Sequence, residues 1–156
     1  MINNDFTIIV DTREQKPWSF QYQATANIKL DTGDYSIDGY QNVLAIERKR
    51  NVAEFANNIT EKRFKDVVDR LSKIKHSYML FEFDMNDVMR YPIGSDIPKR
   101  LWDKIRISPS FIVKNIIDLQ VENNIKIIFC GNSTNAEKVA LSIMRKIHKM
   151  ETPHAI

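Results

Sequence analysis

A chain of 156 residues, 43% apolar and 28% charged, has the size and composition of one folded unit, so we expect a single domain over residues 1–156. The 23 basic and 20 acidic residues leave a formal charge of +3, which by itself indicates no class of partner. The 4 glycines lie too far apart for a dinucleotide or Walker phosphate loop, so no nucleotide cofactor is expected.

The first elements predicted are three strands. The β-branched run Thr7–Asp11 indicates a buried strand that ends in a carboxylate. Residues 27–37 alternate weakly between apolar and polar, and residues 43–49 are again largely apolar. Because the turn signal Asp38-Gly39 separates these two segments, we expect them to form a hairpin.

Helices follow the hairpin. Apolar residues recur at helical spacing over 52–74, which predicts two helices, with Asn51 as the N-cap of the first. Residues 77–83 then indicate another strand, and Asp84 is placed to cap a short helix over 86–90.

The last third of the chain continues this mixture. After a loop with two prolines, Ser108-Pro109 is a strong helix start, and the helix is expected to reach about residue 123. Residues 125–130 predict a core strand, and Thr134 with Glu137 predicts a capping box for a final helix. Strands and helices alternate throughout, so we expect an α/β fold with a mixed central β-sheet flanked by helices.

The chain shows no sign of membrane insertion or export. No apolar run approaches the roughly 20 residues that a membrane helix needs, and Met1–Asp5 is not an export signal. We therefore expect an intracellular protein, cytoplasmic or nuclear. One cysteine and 3 scattered histidines leave carboxylates as the main ligands of any cation, which favours Mg²⁺ or Mn²⁺.

The hairpin carries the residues that are most suggestive of chemistry. Alternate side chains of a strand share a face, so Glu47 and Lys49 point one way and Arg48 the other. Asp34 begins the neighbouring strand, and cross-strand neighbours lie about 5 Å apart, close enough for Asp34 and Glu47 to share a cation. This is the acidic, acidic-x-Lys arrangement of the PD-(D/E)XK nucleases.

Three motifs strengthen that interpretation. Val10–Glu14 reads V-D-T-R-E, Gly33–Tyr35 reads G-D-Y, Glu47–Lys49 reads E-R-K, and Arg63-Phe64 follows. In order and spacing they resemble the nuclease domain of the XPF family of structure-specific DNA endonucleases. The resemblance covers positions 7 to about 83 and implies a restriction-endonuclease-like fold and metal-dependent hydrolysis of phosphodiester bonds, with branched or flap-bearing DNA as substrate.

The resemblance also implies roles for particular residues. The implied metal ligands are Asp11, Glu14, Asp34 and Glu47, with the Arg48 carbonyl as a further oxygen. The implied catalytic set is Asp11, Asp34, Glu47, Arg48 and Lys49, in which Lys49 orients or activates the attacking water. The implied DNA contacts are Arg13, Arg48, Arg50 and Arg63. The implied cofactor is Mg²⁺, with Mn²⁺ as a substitute.

Two departures from the family pattern matter. The acidic residue normally found four positions after the lysine falls on Ala53, and Glu54 follows one place later, so we expect a one-residue insertion. Family members also carry a tandem helix-hairpin-helix module, which does not appear in these 156 residues. The family commonly pairs through its C-terminal half, which implies a homodimer or heterodimer, and the stripe Ala136–Ile147 is either its seam or plain core.

Other interpretations stay open. Glu47, Arg48 and Lys49 could form ordinary surface ion pairs, which are worth about 0–1 kcal/mol. A non-catalytic DNA-binding or scaffolding member of the family is one functional alternative, and a restriction-type or recombination nuclease acting on ordinary duplex DNA is another. Cleavage assays on several DNA structures distinguish the three.

Overall fold

The fold is built on one mixed β-sheet, whose strand ends position the candidate site. The computed structural model describes residues 1–153. The strands are β1 (Asn3–Val10), β2 (Gln23–Asn27), β3 (Tyr35–Ile37), β4 (Leu44–Lys49), β5 (His76–Phe81) and β6 (Lys126–Phe129). They form a 6-stranded sheet in the order β2-β1-β3-β4-β5-β6. β3 is antiparallel to both β1 and β4, whereas the pairs β1 with β2, β4 with β5 and β5 with β6 are parallel.

Helices cover both faces of this sheet. They are α1 (Val52–Asn58), α2 (Lys62–Ser72), α3 (Met85–Met89), a 3₁₀ helix (Lys99–Lys104), α4 (Pro109–Val121) and α5 (Ser133–Glu151). The predicted α/β class with a mixed sheet and flanking helices is confirmed.

The alternation along β4 divides the core into two layers. Ala45 packs with apolar residues of α1, α2 and α4 on one face. Leu44 and Ile46 pack with α5 on the other face. Since side chains alternate along a strand, Glu47 and Lys49 are directed to the α1 and α2 side of the sheet and Arg48 to the α5 side.

Several local predictions are confirmed. Tyr35 pairs with Ile46 across the expected antiparallel hairpin. Three of the four predicted N-caps, Asn51, Asp84 and Ser108, each accept a hydrogen bond from a backbone N–H of the first helical turn.

The prediction of one strand over 27–37 is wrong in extent. Only Tyr35–Ile37 forms β3, and the unpredicted edge strand β2 precedes the loop. The loop departs from the sheet because the Leu30 N–H donates to the Asp11 carboxylate (2.8 Å) instead of to a strand. At Gly33 the backbone takes a positive φ of 81°, which a continuous strand does not allow.

The predicted capping box of the final helix is also wrong. Asn132 is the N-cap, and its side chain accepts from the Asn135 N–H (2.8 Å). The Glu137 carboxylate instead accepts from the Phe20 N–H (3.0 Å), so it ties the loop after β1 to α5. The sequence offers two N-caps for this helix, Thr134 of the S/T-x-x-E pattern and Asn132 two residues earlier, and the helix begins after Asn132.

Two expectations concern the extent of the domain. The expected single domain includes residues 154–156, which lie outside the described residues, as does the third histidine, His154. Among residues 1–153, no helix is long and apolar enough to cross a membrane.

Gly33 is expected to be the glycine least tolerant of a side chain. A Cβ there would lie 3.1 Å from the backbone N and O of Ile46, in addition to the cost of the positive φ. At Gly39 φ is also positive, at 88°, but an added Cβ would have no atom within 4 Å other than those of the adjacent residues. Gly39→Ala should therefore cost about 1–2 kcal/mol of folding free energy from backbone strain alone, and Gly33→Ala should cost more. Chemical denaturation of the two variants measures the difference, and equal losses would contradict the proposed contact.

Candidate active site

Three strand ends bring the predicted carboxylates together. Asp11 directly follows β1, Asp34 precedes β3 and Glu47 lies near the end of β4. The Asp11 N–H donates to the Asp34 carbonyl (2.9 Å), and the Asp34 N–H donates to the Ile46 carbonyl (2.8 Å). Backbone hydrogen bonds therefore hold the three strand ends side by side.

A cleft of about 400 Å³ opens at this end of the sheet. Its lining combines carboxylates with arginines and includes Asp11, Asp34, Glu47, Arg13, Arg63 and Arg70. Asp11 is 4% exposed, whereas the side chains of Arg13 and Arg63 are 65% and 84% exposed. Buried anions among exposed guanidinium groups form a charge pattern that suits a cation and a phosphate together.

Asp34 and Glu47 form the electrostatic centre of the cleft. Burial and then the charge of Glu47 raise the pKa of Asp34 well above its usual range, although the Arg48 N–H donates to the Asp34 Oδ2 (2.8 Å) and opposes the rise. A cation bound between the two carboxylates would stabilise the ionised form of Asp34.

Lys49 is charged in this environment. Burial lowers its pKa, but attraction to Glu47, whose Oε2 accepts from the Nζ at 3.0 Å, outweighs burial and leaves the pKa above its usual value. The Nζ also lies 5.4 Å from the centre of the Phe64 ring. Lys49 is therefore a protonated donor at neutral pH, suited to orienting water and to stabilising negative charge.

Glu54 also faces this ammonium group. Its Oε1 lies 4.0 Å from the Lys49 Nζ. It belongs to the first turn of α1, directly after Ala53, the position where the family pattern places an acid. Glu54 thus brings a second carboxylate to Lys49, and the one-residue insertion stays a prediction.

Asp11 lies in the same cleft but is held by another cation. Its Oδ2 accepts from the Arg13 Nε (2.9 Å), and its Oδ1 accepts from an Arg13 terminal nitrogen (3.3 Å) and from the Leu30 N–H (2.8 Å). Burial raises the pKa of Asp11, but these bonds outweigh burial and hold the pKa below its usual value. Asp11 is therefore an ionised carboxylate with no free oxygen.

Glu14 is held by arginines, although its charge also helps to raise the pKa of Asp34 after burial and Glu47. The Glu14 carboxylate lies between two guanidinium groups, 3.6 Å from Arg48 and 3.3 Å from Arg50. Arg50 also donates to the carbonyl of Gln15. The Glu14 Oε2 is buried without a hydrogen-bond partner. The structure thus brings Glu14 to the arginines rather than to the other predicted ligands.

The Arg48 side chain lies on the opposite face of the sheet from Glu47 and Lys49. It is buried, and its Nε donates to the Glu82 Oε2 (2.7 Å). The Trp18 indole N–H donates to the same oxygen (2.7 Å), and the guanidinium lies 4.8 Å from the centre of the Trp18 ring. The structure therefore does not bring the Arg48 guanidinium to the cleft, and only its backbone N–H reaches Asp34.

Glu82 and Trp18 are site-supporting residues that the sequence analysis missed. Trp18 stacks on Tyr35, next to Asp34, with ring centres 4.4 Å apart. Glu82 directly follows β5, between Phe81 and Phe83. A lone charge within the apolar run Leu80–Phe83 was the available signal, because such a charge requires a buried partner.

Two arginines of the cleft come from α2. Arg63 donates to Glu61 (2.9 Å) and its side chain is largely exposed. Arg70 lines the cleft two turns further along the same helix. Arg63, for which a DNA contact is predicted, lies at the cleft, and so does Arg70, to which the sequence motifs assign no site role.

A larger cavity of about 680 Å³ lies between α1 and the loop 91–97. Four acidic residues line it: Asp96 lies on the exposed loop, Glu54 lies 4.0 Å from Lys49, and the other two are held by arginines. Glu82 binds Arg48, and Asp87 binds Arg90 at 2.7 Å. We therefore place the chemistry in the smaller cleft.

The carboxylates present fit a hard divalent cation only in part. Among the residues from 1 to 153, no group of three or more His, Cys, Asp or Glu side chains is arranged to hold a metal ion. The mutual repulsion of Asp34 and Glu47 nevertheless fits a cation with oxygen ligands. Asp11 lines the same cleft.

Comparisons with known proteins identify the family. Residues 10–140 match the model of the ERCC4 domain. The chain belongs to the ERCC4 domain family. The match includes every residue that the sequence analysis placed in the site, and the predicted resemblance to XPF nuclease domains is confirmed. This is a nuclease family. No curated protein sequence matches the chain.

Solved structures show the ERCC4-family fold independently. XPF from Aeropyrum pernix is similar with a TM-score of 0.61 and 17% identity, over 92% of this chain and 68% of that one. The structure titled as the complex of XPF from Aeropyrum pernix with DNA gives a TM-score of 0.66 and 17% identity, over 96% and 68%. At this identity the likeness establishes the fold.

The raised pKa of Asp34 predicts a pH-dependent stability. The folded state binds a proton at Asp34 more tightly than the unfolded chain does, so this stability is complete below the unfolded pKa and is lost as the pH rises through the folded pKa. In EDTA, Asp34→Asn should therefore melt at a higher temperature than wild type near pH 7, and the difference should shrink near pH 4, about the unfolded pKa of aspartate.

The control for this measurement is Asp38→Asn. Asp38 is exposed in the β3–β4 turn, so its melting temperature should follow wild type at both pH values. An Asp34→Asn protein less stable than wild type near pH 7 would show that the like-charge pair is not destabilising.

Proposed function

We propose that this ERCC4-family domain is a DNA endonuclease that hydrolyses phosphodiester bonds with Mg²⁺ or Mn²⁺, and that its substrates are branched or flap-bearing DNA. The observation that carries the proposal is the buried Asp34 and Glu47 pair beside the protonated Lys49, in a cleft surrounded by arginines. The DNA in the complex of the structural relative supports nucleic acid as the ligand.

The carboxylates of Asp34 and Glu47 would hold the cation. When bound, such a cation lowers the pKa of a coordinated water and neutralises charge on the scissile phosphate. The Arg48 N–H fixes one oxygen of Asp34, so the other oxygen is the one available to the cation. Glu82 and Trp18 hold the Arg48 side chain on the reverse face, which keeps this N–H in place.

Lys49 and the arginines would act on the DNA. A protonated Lys49, held between Glu47 and Glu54, is suited to donate to the attacking water or to a phosphate oxygen whose charge grows in the transition state. The guanidinium groups of Arg63 and Arg70 are exposed at the cleft, where they are suited to bind flanking phosphates.

One observation favours the scaffold alternative. The oxygens of Asp11 are occupied by Arg13 and Leu30, so the structure provides two close carboxylates rather than three. A domain that binds DNA without cutting it needs no further ligand. The cleavage experiment below therefore includes a binding measurement.

Loss of either central charge should abolish cleavage while the fold remains. Asp34→Asn keeps an acceptor for the Arg48 N–H, and Lys49→Gln keeps a donor for Glu47, which avoids leaving buried groups unpaired. Each variant should lose at least about 100-fold in rate, the scale of removing one electrostatic stabiliser. The assay uses fork, flap, junction, linear duplex and single-stranded DNA with Mg²⁺ or Mn²⁺, and EDTA as a blank.

The controls are Asp38→Asn and Lys149→Ala, two exposed charges away from the cleft. Both should cut at the wild-type rate. Preference for the branched DNAs supports the proposed substrate, and equal cutting of linear duplex supports the restriction-type alternative. DNA binding without cleavage in either metal supports the scaffold alternative.

We also propose that the domain pairs through α4. The α5 stripe Ala136–Ile147 is not free for this, because Ala136, Ala140, Met144 and Ile147 are buried against the sheet. On α4, Ile117 and Val121 are 50% and 77% exposed, one helical turn apart. Apolar residues arranged in this way suit a second protein surface.

The double variant Ile117→Glu, Val121→Glu should therefore shift the domain towards monomer in sedimentation equilibrium, since two buried charges oppose association. Met150→Glu, an exposed apolar position on α5, is the matched control and should leave the mass unchanged. A dimer that survives the α4 changes would place its interface elsewhere.

A further inference from the structure

We propose that Arg13 is a positioning residue that keeps Asp11 out of metal coordination until a DNA phosphate draws its guanidinium away. Metal binding and DNA binding would then reinforce each other through a single side chain. The inference rests on the proposed function, because it concerns the same cleft and the same two ligands.

The contacts of Asp11 carry the first step. Arg13 engages both carboxylate oxygens, through its Nε (2.9 Å) and a terminal nitrogen (3.3 Å), and the Leu30 N–H takes another acceptor site (2.8 Å). Asp11 is almost fully buried. Its charge is therefore neutralised by a cation of the protein itself, in the place where a divalent ion would otherwise recruit it.

The exposure of Arg13 carries the second step. The side chain is 65% exposed, lines the cleft and also donates to the Leu30 carbonyl (2.8 Å). Because the guanidinium reaches solvent, its ion pair with Asp11 is weakened by screening, and a phosphate offers an arginine two parallel hydrogen bonds. Arg48 differs, since its guanidinium is buried on the other face of the sheet. Arg13 can thus exchange partners, whereas Arg48 is fixed.

The consequence is a difference in ligand number between two states. In the free protein the close carboxylates are those of Asp34 and Glu47. Once Arg13 binds phosphate, Asp11 adds a third oxygen donor in the same cleft. By linkage, any factor by which DNA tightens the metal is the factor by which the metal tightens DNA.

A double-mutant cycle on Mn²⁺ affinity tests this without any cleavage. Calorimetric titration of Mn²⁺ compares wild type, Arg13→Gln, Asp11→Asn and the double variant, all without DNA. In the wild-type background Asp11→Asn should change the Kd little, because Asp11 does not reach the metal. In the Arg13→Gln background the same change should weaken binding at least about fivefold, the lower limit of a typical coupling.

The control is the same cycle with Arg63→Gln, which removes another exposed cation of the cleft, one that is bonded to Glu61 rather than to Asp11. If Arg63→Gln acts only by removing a charge, Asp11→Asn should change the Kd for Mn²⁺ by the same factor with or without it, so this cycle should be additive. Thermal melts show whether each variant is folded before it is titrated.

A second titration adds fork DNA with phosphorothioate linkages around the branch point, which resists cleavage. Wild type should then bind Mn²⁺ more tightly, and Asp11→Asn should lose most of that gain. An additive Arg13 and Asp11 cycle, or a DNA effect that Asp11→Asn leaves intact, overturns the inference even if the enzyme cuts DNA. A non-additive cycle in a protein that cuts nothing supports it and defeats the proposed cleavage.

Discussion

The main chain at Asp34 is the constraint on which the site depends. Its N–H donates to β4, its carbonyl accepts from the residue after β1, and its side chain accepts from the Arg48 N–H. One residue therefore joins three strand ends and also supplies a central carboxylate. The positive φ of Gly33, packed against Ile46, turns the chain into this position. A change in the backbone at Asp34 would therefore also move one of the central carboxylates of the site.

Close to Asp34, carboxylates outnumber the one ammonium group, that of Lys49. Lys49 neutralises part of the carboxylate pair and is itself held by Glu47 and Glu54. Burial and the charge of Glu47 hold the pKa of Asp34 high. Immediately around Lys49 one ammonium group faces three carboxylates, those of Asp34, Glu47 and Glu54, an excess of negative charge that would favour a divalent cation.

The sequence predicted what local spacing controls. Alternation along β4 correctly separated Glu47 and Lys49 from Arg48, and three of the four predicted helix caps were found because each depends on residues within one turn. What it missed depends on distant partners. The weakly patterned edge strand Gln23–Asn27 forms only against β1, and Glu82 finds Arg48 from 34 residues away. Motifs named the carboxylates of the site, but not that Arg13 occupies Asp11.

The Arg48 side chain is held by Glu82 and Trp18 on the face of the sheet opposite Glu47 and Lys49. This position affects which substitution should be chosen to make an inactive version of the domain. A substitution at Arg48 strips the buried Glu82 of its counter-charge and the Trp18 ring of its cation, so lost activity in such a protein reports a disturbed scaffold. A decoy intended to occupy DNA without cutting it, in competition or trapping work, is better made at Asp34. There a carboxamide is nearly the same shape and leaves the surrounding architecture undisturbed.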